Sequence, residues 1–159
     1  SIENQLTMLQ DELTKLKQSP VEETRKEYLK HYEKIGSKYY YIEANQKINW
    51  FAAAHKCHEL GGHLLSLQNQ QEYSAVTPKL NGSSYWIDIN DLGYKGFYLS
   101  HTTGKTSPYF NWHKGEPNHA GNVENCVVLE KRKTSDAILM NDDKCLEFRL
   151  FVCEFNEHK

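Results

Sequence analysis

The side chains best suited to chemistry fall in two stretches. The first reads Glu116-Pro117-Asn118, then Glu124, Asn125 and Cys126; the second reads Asn141-Asp142-Asp143, closed by Cys145. All the strong donors are oxygens. Carboxylates and amide carbonyls suit hard cations, and Ca2+ takes about six to eight such ligands at roughly 2.3–2.6 Å. Glu116, Asn118, Glu124, Asn141 and Asp142 can supply five side-chain oxygens, and Asp142 can add its backbone carbonyl. Waters or a ligand complete the shell. Three carboxylates set a balanced negative charge against the dication. Pro117 stiffens the first stretch, and a cis bond ahead of it is inexpensive. Taken singly, each residue reads as a solvated loop side chain; five together, flanking two cysteines, favour a calcium site.

Rival chemistries are weaker. His55 and His58, with His63 near, have a spacing that could suit zinc. Glu59 follows them instead of standing inside an H-E-x-x-H base motif, so they read as the face and end of a helix. No G-x-S-x-G nucleophile motif is present. The expectation is a binding protein and not an enzyme. Cys57, Cys126, Cys145 and Cys153 form no C-x-x-C pair, and an even count fits two disulfides with three possible connectivities. Asn81-Gly82-Ser83 is an N-glycosylation acceptor. Both features point to a secreted, extracellular protein.

The elements that must position these residues are legible in outline. The chain has 159 residues, 38% apolar and 25% charged, enough for one domain with a short appendage. Its longest apolar run is Trp50-Phe51-Ala52-Ala53-Ala54, far below a membrane span. A net charge of -2 argues against a dedicated nucleic-acid binder. Residues 2–18 read as a helix with Ile2, Leu6, Leu9, Leu13 and Leu16 on a heptad seam. Pro20 ends it, and Ser19-Pro20 with Glu22 starts a second helix that runs to about 35 and stops at Gly36. Residues 1–35 therefore read as a helical stalk for self-association, a possible coiled coil. Lys38 to Ile42 is strand-like. Asn49 caps a helix from Trp50 to Leu60, terminated by Gly61-Gly62, and Asn69 caps another from Gln70 to about Leu80. Tyr85 to Ile89, Phe97 to Leu99, Cys126 to Leu129, Ile138 to Met140 and Leu150 to Phe155 read as short strands. Ser100 to Asn125 is a long loop, a length that usually signals function. Helices early and strands late predict an α+β fold over residues 36–159.

The same residues resemble the C-type lectin domain. Trp86-Ile87-Asp88-Ile89 matches the family's W-I-G-L strand. Asn111-Trp112 precedes Glu116-Pro117-Asn118, Glu124 stands just ahead of Cys126, and Asn141-Asp142 lie four and three residues before Cys145. Phe151-Val152-Cys153-Glu154 completes the match, which spans about residues 36–159 with every cysteine in register. The stretch 32–39 and Asn49-Trp50-Phe51 are similar to small secreted insect lectins. The resemblance implies two helices, short antiparallel sheets and a long calcium-binding loop, with disulfides Cys57–Cys153 and Cys126–Cys145. It implies a Ca2+ held by Glu116, Asn118, Glu124, Asn141 and Asp142 that binds two vicinal sugar hydroxyls. The Glu-Pro-Asn order is that of the mannose, fucose and N-acetylglucosamine group. The alternative is a lectin-like module that binds protein or ice, a role that usually follows loss of ligand residues; all five are present here. Three departures stand out. Met140 replaces a tryptophan, Asp88 replaces a glycine, and Lys95 puts a cation where some members build a second calcium site.

Overall fold

The computed structural model describes residues 1–17 and 19–157. Gln18, the last residue of the first expected helix, and the two C-terminal residues of the expected domain lie outside them. Helix α1 spans Ile2–Lys17 and α2 spans Pro20–Leu29. Ser19 caps α2 by accepting from the Glu22 N–H at 3.3 Å. The expected extension of α2 to residue 35 is incorrect. The chain leaves the helix after Leu29, and β1 (Glu33–Ile35) pairs antiparallel with β2 (Lys38–Ile42) across Gly36, which takes a φ of +64°. Tertiary contacts override helix propensity here. Tyr32 packs edge-on against Phe155 at 5.3 Å and donates to the Leu60 carbonyl at 3.2 Å. Tyr28 also covers Gly61, where a Cβ would stand 2.9 Å from its ring.

Asn49 caps α3 (Trp50–Glu59), accepting from the Ala52 N–H at 2.9 Å. The following glycines do more than stop the helix. Gly61 turns the chain at a φ of +80°, and β3 (Gly62–Leu64), not expected from the sequence, pairs with β8. Helix α4 covers Gln70–Val76 under an Asn69 cap and ends in a tight turn over Thr77–Lys79. Then come β4 (Ser84–Asn90), β5 (Leu99–Ser100), β6 (Cys126–Lys131), β7 (Ile138–Asp143) and β8 (Leu150–Phe155).

The sheet order is β1-β2-β8-β4-β6-β7, with β3 on β8 and β5 on β4. One pairing departs from the expected short antiparallel sheets: β4 and β8 run parallel, Tyr85 opposite Leu150 and Trp86 opposite Phe151. Both strands are buried along their whole length, the setting in which parallel pairs occur. The fold is α+β, with four α-helices and a mixed sheet among the described residues.

Cys57–Cys153 ties α3 to β8, and Cys126–Cys145 ties the start of β6 to the turn after β7. Both disulfides sit in a core with Trp50, Trp86 and Phe151. Met140 is fully buried, and its sulfur accepts from the Asn111 N–H at 3.4 Å, the gap-filling role its shape suits. Asp88 acquires an account. It is fully buried and accepts from the Ser100 hydroxyl, from the Thr102 hydroxyl at 2.9 Å and from the Thr102 N–H at 3.3 Å. Burial pushes its carboxyl above the usual range. A glycine could not hold the start of the long loop in this way.

Candidate functional site

Strand β7 delivers Asn141 and Asp142, opposite Val128 and Val127 of β6. Asp142 is fully buried and acts as the hub. Its carboxylate accepts the Asn118 N–H at 3.2 Å and the His119 N–H at 2.8 Å. These bonds fold the loop back after a cis Glu116–Pro117 bond, with His119 in the left-handed region at φ 48°. The next amide, Ala120 N–H, is shared by the Asn118 side-chain oxygen at 3.1 Å and Glu124 Oε1 at 3.2 Å. The Glu116 carboxyl lies against Asp142, and Arg132 stands 3.5 Å from it. Glu116 and Asn118 thus meet Asp142 directly, and Glu124 joins them through the shared Ala120 N–H. Asn141 Oδ1 is buried at the same strand end with no partner among the described residues.

The electrostatics are those of an undercompensated anionic site. Burial, then contact with Asp142, raises Glu116 from the ordinary 4.5 to about 7, against the pull of Arg132. Burial and the Asp142 charge also raise Glu124. Tyr98 rises far above the ordinary phenol range through burial and the charges of Asp91, Asp142, Glu124 and Glu116. Among the described residues, no three His, Cys, Asp or Glu side chains close into a metal-holding group. The donor set therefore leans on amide oxygens as well as carboxylates. That mixture suits a hard, oxygen-seeking cation, and an orphaned buried amide oxygen beside three acids fits one.

Around this centre, Asp91 accepts from Gly96 N–H at 2.8 Å and from the Asn125 amide at 3.1 Å, and Lys95 bonds Asn122. Two of the three histidines that could have suggested zinc are engaged by other partners. His55 lies 3.0 Å from Glu59, and His63 bonds Asn156 and lies 3.6 Å from Glu154. Sequence reading missed two participants, Arg132 and the Ala120 N–H. The β6–β7 hairpin returns Arg132 to Glu116, and no local pattern announces it. The Ala120 amide carries no side-chain signature at all.

The Lectin C-type domain family model matches residues 46–155. A C-type lectin of Drosophila melanogaster, 37Db, is 42% identical over 123 residues, covering 77% of this chain and 80% of that protein. The accessory gland protein Acp29AB of Drosophila simulans is 32% identical over 131 residues, covering 81% of this chain and 52% of that relative, about half its length. Among solved structures, the cow CD23 carbohydrate-recognition domain, crystallised in the presence of a GlcNAc2Man3 oligosaccharide, superposes with a TM-score of 0.70 at 29% identity. That match covers 81% of this chain and 95% of the other. Such domains are typically carbohydrate-binding, generally hold Ca2+, and act as binding modules rather than enzymes. Family match, disulfide pairing and fold agree: the chain belongs to the C-type lectin domain family.

Proposed function

We propose that residues 36–159 form a calcium-dependent carbohydrate-recognition domain for sugars of the mannose, fucose and N-acetylglucosamine type. The observation that carries this is the linkage of Glu116, Asn118 and Glu124 around Asp142 and Ala120, with Asn141 Oδ1 left unpartnered beside them. Glu116, Asn118, Glu124, Asn141 and Asp142 hold Ca2+ in this reading; the bound ion supplies two coordination positions for a pair of vicinal equatorial hydroxyls. Glu116 ligates through one oxygen and accepts a hydroxyl proton with the other. Asn118 ligates through its carbonyl and donates from its NH2. Each sugar hydroxyl then meets an acceptor or donor of fixed sense, which discriminates hydroxyl geometry.

Retention on a mannose column in Ca2+, with elution by chelator and by free mannose, tests the reading. Flow-through in Ca2+ overturns it. Exchanging the flanks with Glu116→Gln and Asn118→Asp keeps one negative charge and similar volumes while reversing donor and acceptor. Mannose retention should weaken and galactose retention appear. Unchanged mannose retention would mean that these two side chains do not touch sugar.

Of the N-terminal segment 1–35, whose last three residues join the sheet as β1, the same reading assigns helix α1 to a self-associating stalk. Ile2, Leu6, Leu9, Leu13 and Leu16 keep heptad spacing and are 83%, 55%, 58%, 55% and 73% exposed in the single chain. A seam that regular and uncovered matches helix pairing with further copies. Sites that touch two hydroxyls bind weakly alone, and presenting several together adds a factor of about 10² to 10⁴. Leu9→Glu with Leu13→Glu should therefore leave the domain folded and monosaccharide affinity unchanged. Self-association and multivalent glycan binding should fall. Equilibrium ultracentrifugation reads the first, and a monomeric unmutated chain at tens of micromolar refutes the stalk. The proposal places the protein outside the cell, where disulfides persist and the exposed Asn81 is open to glycosylation.

A further inference from the structure

An open cavity of about 600 Å³ lies between α3, β3 and the start of the long loop. That volume suits a small-molecule ligand. Four of its lining side chains are imidazoles: His55 and His58 from α3, His63 from β3, and His101. The chain has eight histidines, so half of them meet at this one place. Among the described residues, no Lys, Arg, Asp or Glu lines the cavity. Phe51 and Leu92 give it apolar surface, 49% and 46% exposed. His101 stands edge-on to Trp50 at 5.1 Å. The Asn90 side-chain oxygen accepts from the Leu92 N–H at 3.2 Å, so its NH2 is the end with hydrogens left to give. None of these residues is a proposed calcium ligand.

No three of the imidazoles and acids close into a metal-holding group among the described residues, which leaves the rings as hydrogen-bond donors. Imidazole is the side chain whose ordinary charge change falls between about pH 5 and 8. The lining is therefore uncharged in mild base and cationic in mild acid. The carboxylates near the rings are not part of the lining. Glu59, itself 3.7 Å from Lys56, lies 3.0 Å from His55. Glu154, which also pairs with Lys38, lies 3.6 Å from His63. The Asp88 backbone carbonyl accepts the His101 N–H at 3.1 Å, and its carboxyl charge acts on His63. Burial opposes protonation of His63, but Glu154, Asn156 and Asp88 together hold it above its ordinary value.

We propose that this cavity binds a small organic acid, its flat apolar body on Phe51 and Leu92 and its carboxylate held by the protonated imidazoles and the Asn90 amide. A cationic ligand would meet like charges in acid and no carboxylate in the wall. A polyphosphate would need the permanent charge of Lys or Arg. A carboxylate on an apolar body uses both halves of the lining, because hydrogen bonds between ionised partners are about twice as strong as neutral ones and the body buries apolar surface. The site shares no ligand with the carbohydrate reading and stands or falls apart from it.

Titration calorimetry on the full, metal-stripped chain should compare 2-naphthoate, ionised throughout, with neutral 2-naphthamide at about pH 5.5 and about pH 8. Naphthoate should bind about tenfold or more tightly at the lower pH, and naphthamide equally at both. His58→Gln with His101→Gln should remove that gain while the melting temperature holds, and His55→Gln alone, on the exposed side of α3, should reduce it. Phe51→Ala should weaken both compounds at both pH values. Bound naphthoate should also move imidazole proton resonances so that the rings titrate at higher pH, the reciprocal of proton-assisted binding. Naphthoate affinity that is equal at the two pH values overturns the proposal, as does naphthamide binding as tightly as naphthoate in acid. An acid gain that survives in all the histidine variants places the anion elsewhere and overturns it too. So does the absence of binding by either compound.

Discussion

Asp142→Asn should abolish calcium-dependent sugar retention and the calcium-induced rise in melting temperature while leaving the chain folded. Asp142 is the one proposed ligand that is fully buried, that organises the loop through the Asn118 and His119 amides, and that lies against Glu116. Asparagine keeps its shape and one acceptor oxygen but removes the charge. Changes behind a metal's direct ligands cost about 10–100-fold in affinity, so a direct charged ligand should cost about 100-fold or more. In the unmutated chain, Ca2+ at a hundredfold excess over its Kd stabilises by about 2.7 kcal/mol. For a protein of this size that is a rise of roughly 5–10 °C. Scanning calorimetry of both proteins with Ca2+ and with chelator reads the effect. A second signature is specific to the charge: without Asp142 beside it, Glu116 should titrate below about 7, toward the ordinary carboxylate range. A variant that still gains stability from Ca2+ shows that Asp142 is not a ligand.

Calcium-free and calcium-saturated protein should respond to pH in opposite directions. Glu116 is raised in the calcium-free fold from 4.5 to about 7 by burial and by Asp142. The folded state then favours the protonated carboxyl. That contribution to stability is fully present below pH 4.5 and is lost as pH rises through about 7. Metal binding demands the ionised carboxylate, so protons compete with Ca2+ below pH 7. Affinity should fall by up to about tenfold per pH unit between 7 and 5 for this proton, and more steeply as Glu124, also raised, takes up a second. Melting temperature against pH, with Ca2+ and with chelator, should give two curves that converge in acid and separate toward neutrality. Glu116→Gln should flatten the calcium-free slope. Curves that stay parallel from pH 5 to 8 would remove the proton–calcium competition.

The parts of this fold legible in the sequence are those where a short-range rule decides. Asn49 and Asn69 cap the helices they were expected to cap because a side-chain oxygen three residues ahead of a free amide needs no tertiary help. Strands Lys38–Ile42 and Leu150–Phe155 appear at their expected bounds because both are dense in aromatic and β-branched residues, Tyr39 to Ile42 in one and Phe151, Val152 and Phe155 in the other. The errors fall where distant contacts compete. Residues 33–35 carry helix-compatible side chains, yet Tyr32 is drawn onto Phe155 and the chain turns into a hairpin. Gly62 reads as a helix stop, but it begins a strand because only glycine allows such close approach to the Glu154 carbonyl, which a Cβ would meet at 2.2 Å. Asp88 reads as an anomaly until Ser100 and Thr102 are seen to bond it.

The sequence by itself determined the chemistry on offer: five oxygen donors at family spacing, four cysteines, two capped helices, and a heptad seam ending at Pro20. These depend on residue identity and separation along the chain. Only the tertiary structure decided how the donors meet. Asp142 gathers the backbone amides of a loop more than twenty residues earlier, Arg132 comes back to Glu116, and the Asn141 amide oxygen is enclosed without a partner among the described residues. It likewise decided the parallel β4–β8 pairing and the run of ring contacts from His119 through Tyr98 and Trp112 to Phe110. The physical reason is the same in each case. Burial, charge proximity and ring stacking depend on separations in space between residues far apart in the chain, and local pattern carries no record of those separations.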